Sequence, residues 1–419
     1  FLRGVPEDYD SWAAMGNNQW GFQELLPYFC KLENDQTCQD EFHGNSGPII
    51  THRFARETWL PSQVAFYEAC RAAGFPDCAD HNHPESTGVG PTPFNNPNGV
   101  RYSTALGYLS QARHRLNLTI QANCLVRRLL FTGRRATGVE IERGGATFVV
   151  AGQEIILSAG AIGSPHILLL SGVGPAQQLT DLGIPVIADL PGVGKNLRDH
   201  PLVWATWRTK PDFPLDGMAP RMQVCLRYTA ESSELRNDMK ISMQSFATER
   251  LNRGGQRMDA MGIRMTAGIQ LALGQGELYL TSADPRVQPF LDYRYLEEAA
   301  DRQRLRESIR LCVKLAEHES FRDIIAERLE PTNADLASDD ALDAWLRREV
   351  TTSQHISCTC KMGPAADPLA VVDQFGRVHG LDNLRVVDAS IMPDCVRANT
   401  NVTTMMIGER LADVIRQEM

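Results

Sequence analysis

The chain has 419 residues, with 42 lysines and arginines against 51 acidic residues, a formal net charge of −9. That length suits two large domains, and the ordinary balance of apolar and charged residues suits a buried core rather than disorder. Modest acidity without a basic block speaks against nucleic acid or an anionic membrane as partner, and no apolar run approaches the roughly 20 residues of a spanning helix.

Residues 1–60 carry helical and aromatic elements broken by turns such as Gly44-Asn45-Ser46-Gly47-Pro48. The spacing predicts a helix over Pro61–Ala73, with Phe66, Ala69, Cys70 and Ala73 on one face and Gly74 as the stop. Residues 76–100, rich in Pro, Gly, Asn and His, read as a long functional loop, a lid or site wall. Strands are predicted at Leu118–Gln121, Val126–Phe131, Gly138–Glu142, Phe148–Val150 and Glu154–Leu157. Ser158-Ala159-Gly160-Ala161-Ile162-Gly163-Ser164 then leads into an apolar helix whose first turn Pro165 suits and which stops at Gly172. Between 202 and 280, strands are expected at Met222–Tyr228 and Lys240–Ala247. Glu298–Leu315 reads as an amphipathic helix with positions 305, 309, 312 and 313 on its core face. The chain ends with a strand at Leu384–Val387, a loop through Asn401 and a helix from about Val402–Thr404, its core face carrying Ile407, Leu411, Val414 and Ile415.

Small residues after a strand let backbone approach a ligand closely, and a helix N-terminus follows them. Tight strand–helix packing explains the same string equally well. Taken together, however, three segments carry more information: Gly160–Gly174, Pro191-Gly192-Val193-Gly194-Lys195-Asn196-Leu197-Arg198-Asp199-His200-Pro201, and a C-terminal set. That set is His355-Ile356-Ser357-Cys358-Thr359-Cys360-Lys361-Met362-Gly363, then Val386–Pro393, then Asn399-Thr400-Asn401. In order and spacing the chain resembles the glucose–methanol–choline (GMC) oxidoreductases, over nearly its whole length and most weakly at 205–270.

The resemblance implies an α/β fold with a split, Rossmann-like FAD-binding domain and a substrate domain built on a mixed or antiparallel sheet with covering helices. It implies an N-terminal remainder at 1–201, with its FAD-binding part at about 117–201, and a substrate domain at 202–365. A return to the FAD domain follows at 366–419, the family's C-terminal region running from about 274 to 413. His355 falls where the family keeps its catalytic histidine, and Asn401 where a second active-site histidine or asparagine stands, asparagine as in choline dehydrogenases. Val126 matches a valine beside the adenine, Ala159 and Gly160 the glycine-rich signature, Asp388 and Ala389 the pyrophosphate segment, and Asn401-Val402 the turn beneath the flavin. The implied reaction is FAD-dependent oxidation of a primary alcohol to an aldehyde, with oxygen, a quinone or another carrier as electron acceptor. A lyase or light-driven decarboxylase on the same fold is the rival within the family.

The family's opening βαβ unit with Gly-x-Gly-x-x-Gly is not in the chain, and Phe1-Leu2-Arg3-Gly4 resembles the end of the family's first glycine-rich signature. The expectation is an incomplete view of a normal enzyme, with a cofactor-free fragment as the alternative. His43, His52, His114, His318 and His379 carry no motif, and His200 reads as structural. Asp80-His81-Asn82-His83 with Glu85 is a thin case for a metal site, and none is expected. The ten scattered cysteines form no Cys-x-x-Cys pair, which points to reduced thiols in a cytoplasmic protein.

Overall fold

The computed structural model describes residues 1–248 and 260–418. Helices α1 (Pro6–Ala14) and α2 (Phe22–Leu32) turn Tyr9, Trp12, Phe22, Leu25 and Phe29 inward. Helix α3 (Pro61–Ala72) begins at Pro61, where a missing N–H costs nothing, and buries Phe66, Ala69 and Cys70. The 76–100 stretch is not all loop. Gly88–Pro91 (β1) pairs antiparallel at a sheet edge, and a Cβ on Gly90 would strike the Cys78 carbonyl. A strand that needs glycine for so close an approach looks like a loop in the sequence.

Strands β2 (Leu125–Thr132), β3 (Arg135–Arg143) and β4 (Ala146–Ala151) form an antiparallel three-stranded sheet. The strand expected at Leu118–Gln121 does not form. That segment is irregular, with Leu118 and Ile120 exposed, and β-branched composition makes no strand without a partner. After β5 (Ile155–Leu157), helix α4 spans Gly160–Leu170, so Pro165 lies inside it rather than in its first turn. The carbonyl that Pro165 leaves unbonded, Ala161 O, accepts the Thr359 hydroxyl at 2.6 Å. A tertiary contact thus permits what local propensity forbids.

Next come β6 (Pro201–Thr209), β7 (Val224–Tyr228), β8 (Met239–Thr248), β9 (Ala260–Ile269), α5 (Ala299–Ala316), β10 (Ile325–Glu330), α6 (Asp339–Glu349) and β11 (Thr351–Thr352). They build a seven-stranded sheet in the order β10-β6-β9-β8-β7-β1, with β11 beside β6 and every pairing antiparallel. Its two faces differ. Met239, Ile241, Met243, Ile263, Met265 and Ala267 are fully buried in one core with α3 and α5. The alternate residues, among them Lys240, Ser242 and Thr266, point the other way. On α5 the buried positions are Leu305, Ile309, Cys312 and Leu315, while Val313, expected there, is half-buried.

Strand β12 (Leu384–Val386) runs parallel to β5, and α7 (Thr400–Glu418) closes the chain on Val402, Met406, Ile407 and Leu411. These elements share a second core with α1, α2 and α4. Among the described residues no helix is long and apolar enough to cross a membrane.

Candidate active site

Parallel strands β5 and β12 end side by side, and each passes through a turn towards a helix. In α/β proteins ligands bind beyond such carboxyl ends. One side chain ties the two turns together. Asp388 is buried, and its Oδ2 accepts the Gly160 N–H at 2.9 Å and the Ser164 hydroxyl at 2.5 Å, while Oδ1 accepts the Ser390 N–H and hydroxyl. Its oxygens are therefore engaged inside the protein. Asp388 and Ala389, expected beside the pyrophosphate, are both buried.

In front of that brace Ser158 and Ala159 are exposed, and Gly160, at φ 81°, has open space where a Cβ would be. A ledge of small residues with open space before it lets a dinucleotide come close to the backbone beside a helix N-terminus. Val126 stands half-buried near the start of β2, Val402 is fully buried in α7, and the Asn401 side chain is exposed.

His355 enters from the loop after β11, where Gln354 takes a left-handed φ of 61° and turns the chain. Its backbone N–H donates to Asp199 Oδ1 at 2.9 Å. Asp199 also accepts the His200 N–H and the hydroxyls of Tyr295 and Thr352. The His355 ring is held at both nitrogens. Nδ1 lies 2.9 Å from Nδ1 of His200, and Nε2 lies 2.8 Å from Nδ2 of Asn399. Lys240 Nζ donates to Asn399 Oδ1 at 3.3 Å.

This arrangement corrects two expectations. The amide beside the histidine belongs to Asn399, not Asn401, because α7 starts at Thr400 and carries Asn401 away in its first turn. His200, read as structural, touches the candidate base directly and is itself fully buried. Burial pulls the His355 imidazole well below its ordinary 6.5, with His200 and Lys240 adding to the effect. Burial likewise lowers His200 to about 4.

The histidines proposed for a metal go elsewhere. Asp80 serves Arg53 and His43, whereas His81 faces Cys78 and the carbonyls of Gly90 and Cys225. Asp35, Cys38 and His43 do bring ligand atoms within 4.8 Å of one another. Arg53 nevertheless already pairs with Asp35 and Asp80, and His43 bridges Glu33 and Asp80, so the carboxylates are neutralised.

An imidazole can take the hydroxyl proton of an alcohol, but no side chain accepts the hydride that must leave with it; a cofactor does. Such a division of labour makes the protein a cofactor-dependent oxidoreductase. The chain belongs to the GMC oxidoreductase family, whose two profiles, both described as GMC oxidoreductase, match residues 1–202 and 272–408. FAD is the cofactor, and the ledge at Ser158–Gly160 fits it. An oxygen-dependent choline dehydrogenase of Photobacterium profundum is 34% identical, over 99% of this chain and 77% of its own length. The mitochondrial choline dehydrogenase of Homo sapiens is 36% identical, over 99% and 73%. Among solved structures, pyridoxine 4-oxidase from Mesorbium loti superposes with a TM-score of 0.91 at 29% identity, covering 100% of this chain and 82% of that one. The protein is an FAD-dependent oxidoreductase acting on CH–OH donors.

Proposed function

We propose that the FAD-loaded protein oxidises a primary alcohol to an aldehyde, with His355 as general base and Asn399 as hydrogen-bond donor to the substrate oxygen. The observation that carries this reading is the Asn399 amide donating into Nε2 of His355. Lys240 occupies Asn399 Oδ1, which turns the NH₂ towards the ring. Nε2 is then an acceptor, and the imidazole proton sits on Nδ1, donating to His200. His355 is thus neutral, and its Nε2 lone pair, held by the Asn399 amide, takes the hydroxyl proton once the alcohol displaces that bond. The second N–H of Asn399 is free for the substrate oxygen as negative charge grows there. FAD, when bound, supplies the hydride acceptor.

The residues expected to touch the cofactor support a modest version of that role. Ala159 and Gly160 offer backbone at the ledge, Asp388 and Ala389 hold its shape, and Asn401 and Val402 lie in the first turn of α7. Val126 remains the residue assigned beside the adenine. Ten unpaired thiols support a reducing compartment such as the cytoplasm.

Anaerobic addition of a primary alcohol in the dark is expected to bleach the flavin and release one aldehyde per flavin reduced. No bleaching by any alcohol would end this reading, and bleaching only in light would favour the decarboxylase. Asn399→Ala is expected to lower kcat/KM by about 10²-fold, as removal of an oxyanion donor does, and Asn401→Ala by less than about tenfold. Equal losses in the two variants would return the donor role to Asn401.

The pH profile follows from the lowered His355. Protonation abolishes the base, so kcat/KM should be flat through neutral pH and fall only below 6.5, the ordinary histidine value. An acid limb centred above that value would contradict a buried, neutral base.

A further inference from the structure

The face of the large sheet turned towards His355 has an unusual charge. Lys240, the second residue of β8, reaches Asn399 and stands two hydrogen bonds from the base. Its cross-strand partners are Gly268 on β9 and Arg227 on β7, so Arg227 shares its face. Arg264 of β9 lies on that face too, with its guanidinium 5.0 Å from the Trp204 ring centre. Among the described residues at these alternating positions of β6 to β9, none is Asp or Glu.

The arginines are provided for. Arg227 donates to the carbonyls of His81 and Arg397, and Arg264 covers Trp204 and donates to Thr206. Lys240 is different. It forms no ion pair with a described carboxylate, and its bond to Asn399 is to a neutral amide. Burial pulls Lys240 below its ordinary value, an effect that Cys225 on the neighbouring strand partly offsets, although that thiol is drawn down chiefly by His81. Its Nζ stands one residue, Asn399, away from the His355 ring, so a small ligand at His355 can meet it.

We infer that the alcohol oxidised here carries an anionic group, of which a carboxylate is the simplest, that pairs with Lys240. This rests on the alcohol-oxidase reading and narrows its substrate. A quaternary ammonium is the wrong partner for this face: it needs a carboxylate or an open aromatic ring. The face offers a lysine, and Arg264 already occupies the Trp204 ring. The choline named for two of the relatives is therefore not expected to be the substrate of this chain.

Three small alcohols test the inference in the FAD-loaded enzyme: 3-hydroxypropanoate, its neutral counterpart 1,3-propanediol, and choline. The expected order of kcat/KM places the hydroxy acid at least about tenfold above the diol, the scale on which a buried charge pair discriminates, with choline last. Propanoate, which has no hydroxyl to oxidise, should perturb the flavin absorption and compete with the alcohol. Lys240→Met should remove the preference for the acid and weaken propanoate binding at least about tenfold, and Lys240→Arg should keep the order. A diol equal to the acid, or choline above both, overturns the inference and leaves alcohol oxidation standing. Absence of bleaching by every alcohol removes the reading beneath it instead. If Lys240→Met does not retain flavin, the wild-type order and propanoate binding still decide.

Discussion

Replacing His355 with alanine is expected to lower kcat by about 10²–10⁴, the usual worth of a positioned acid–base group. Flavin should remain bound, because His355 hangs on a loop whose contacts run to Asp199, His200 and Asn399 rather than to the ledge at Ser158–Gly160. The ring's neutrality is arranged from three sides. Desolvation disfavours the imidazolium, Lys240 adds unfavourable positive charge, and the Asn399 amide donates to the lone pair instead of accepting a proton. Stopped-flow reduction separates this from a binding defect: the rate of flavin bleaching should collapse at saturating alcohol. A variant that bleaches at the wild-type rate excludes His355 as the base.

A larger effect on stability is expected far from that chemistry. Arg3, Glu33, Asp35, His43, Arg53 and Asp80 form one ion-pair cluster that is largely out of water. With His43 protonated, three cations face three anions and the cluster is neutral. Burial alone would lower His43, but hydrogen bonds to Asp35, Asp80 and Glu33 push it up to about 11. Arg53→Met leaves Asp35 and Asp80 with a charge deficit and should cost about 3–5 kcal/mol, the range for breaking a buried pair. Urea denaturation at neutral pH reads that cost, and a loss within experimental error would mean the cluster relaxes into solvent. The raised His43 also fixes a pH dependence. Its contribution is fully present below the ordinary 6.5 and is lost as pH rises through about 11, so stability should fall in alkali. His43→Gln should flatten that alkaline decline.

Much of this was legible in the sequence, for physical reasons. Periodicity located α3, α5 and the strands β2 to β4, because their apolar faces are long enough to show. The motif around His355 marked the segment that lies against Asp199, His200 and Asn399, and Gly160 marked a ledge. The failures share a cause: they depend on contacts across the fold. Pro165 sits within a helix because a hydroxyl nearly two hundred residues later takes the orphaned carbonyl. Asn399 and Asn401 are two residues apart, and a helix start expected after Asn401 but found at Thr400 hides which of them lies beside the His355 ring. His200 meets His355, and Lys240 meets Asn399, only when the sheet and the loop after β11 are folded together. No local pattern announces such a meeting.

The alternation along β8 carries an implication for how such an enzyme changes. Met239, Ile241 and Met243 hold the core, whereas Lys240, Ser242 and Gln244 point to the other face, where Lys240 reaches Asn399. Even and odd positions of one strand therefore answer to separate demands. The even set can be exchanged without opening a void behind the sheet, and the proton-transfer pair, carried on other loops, stays in place. A lineage built this way is free to try new alcohols while keeping the same oxidation, one outward-facing residue at a time.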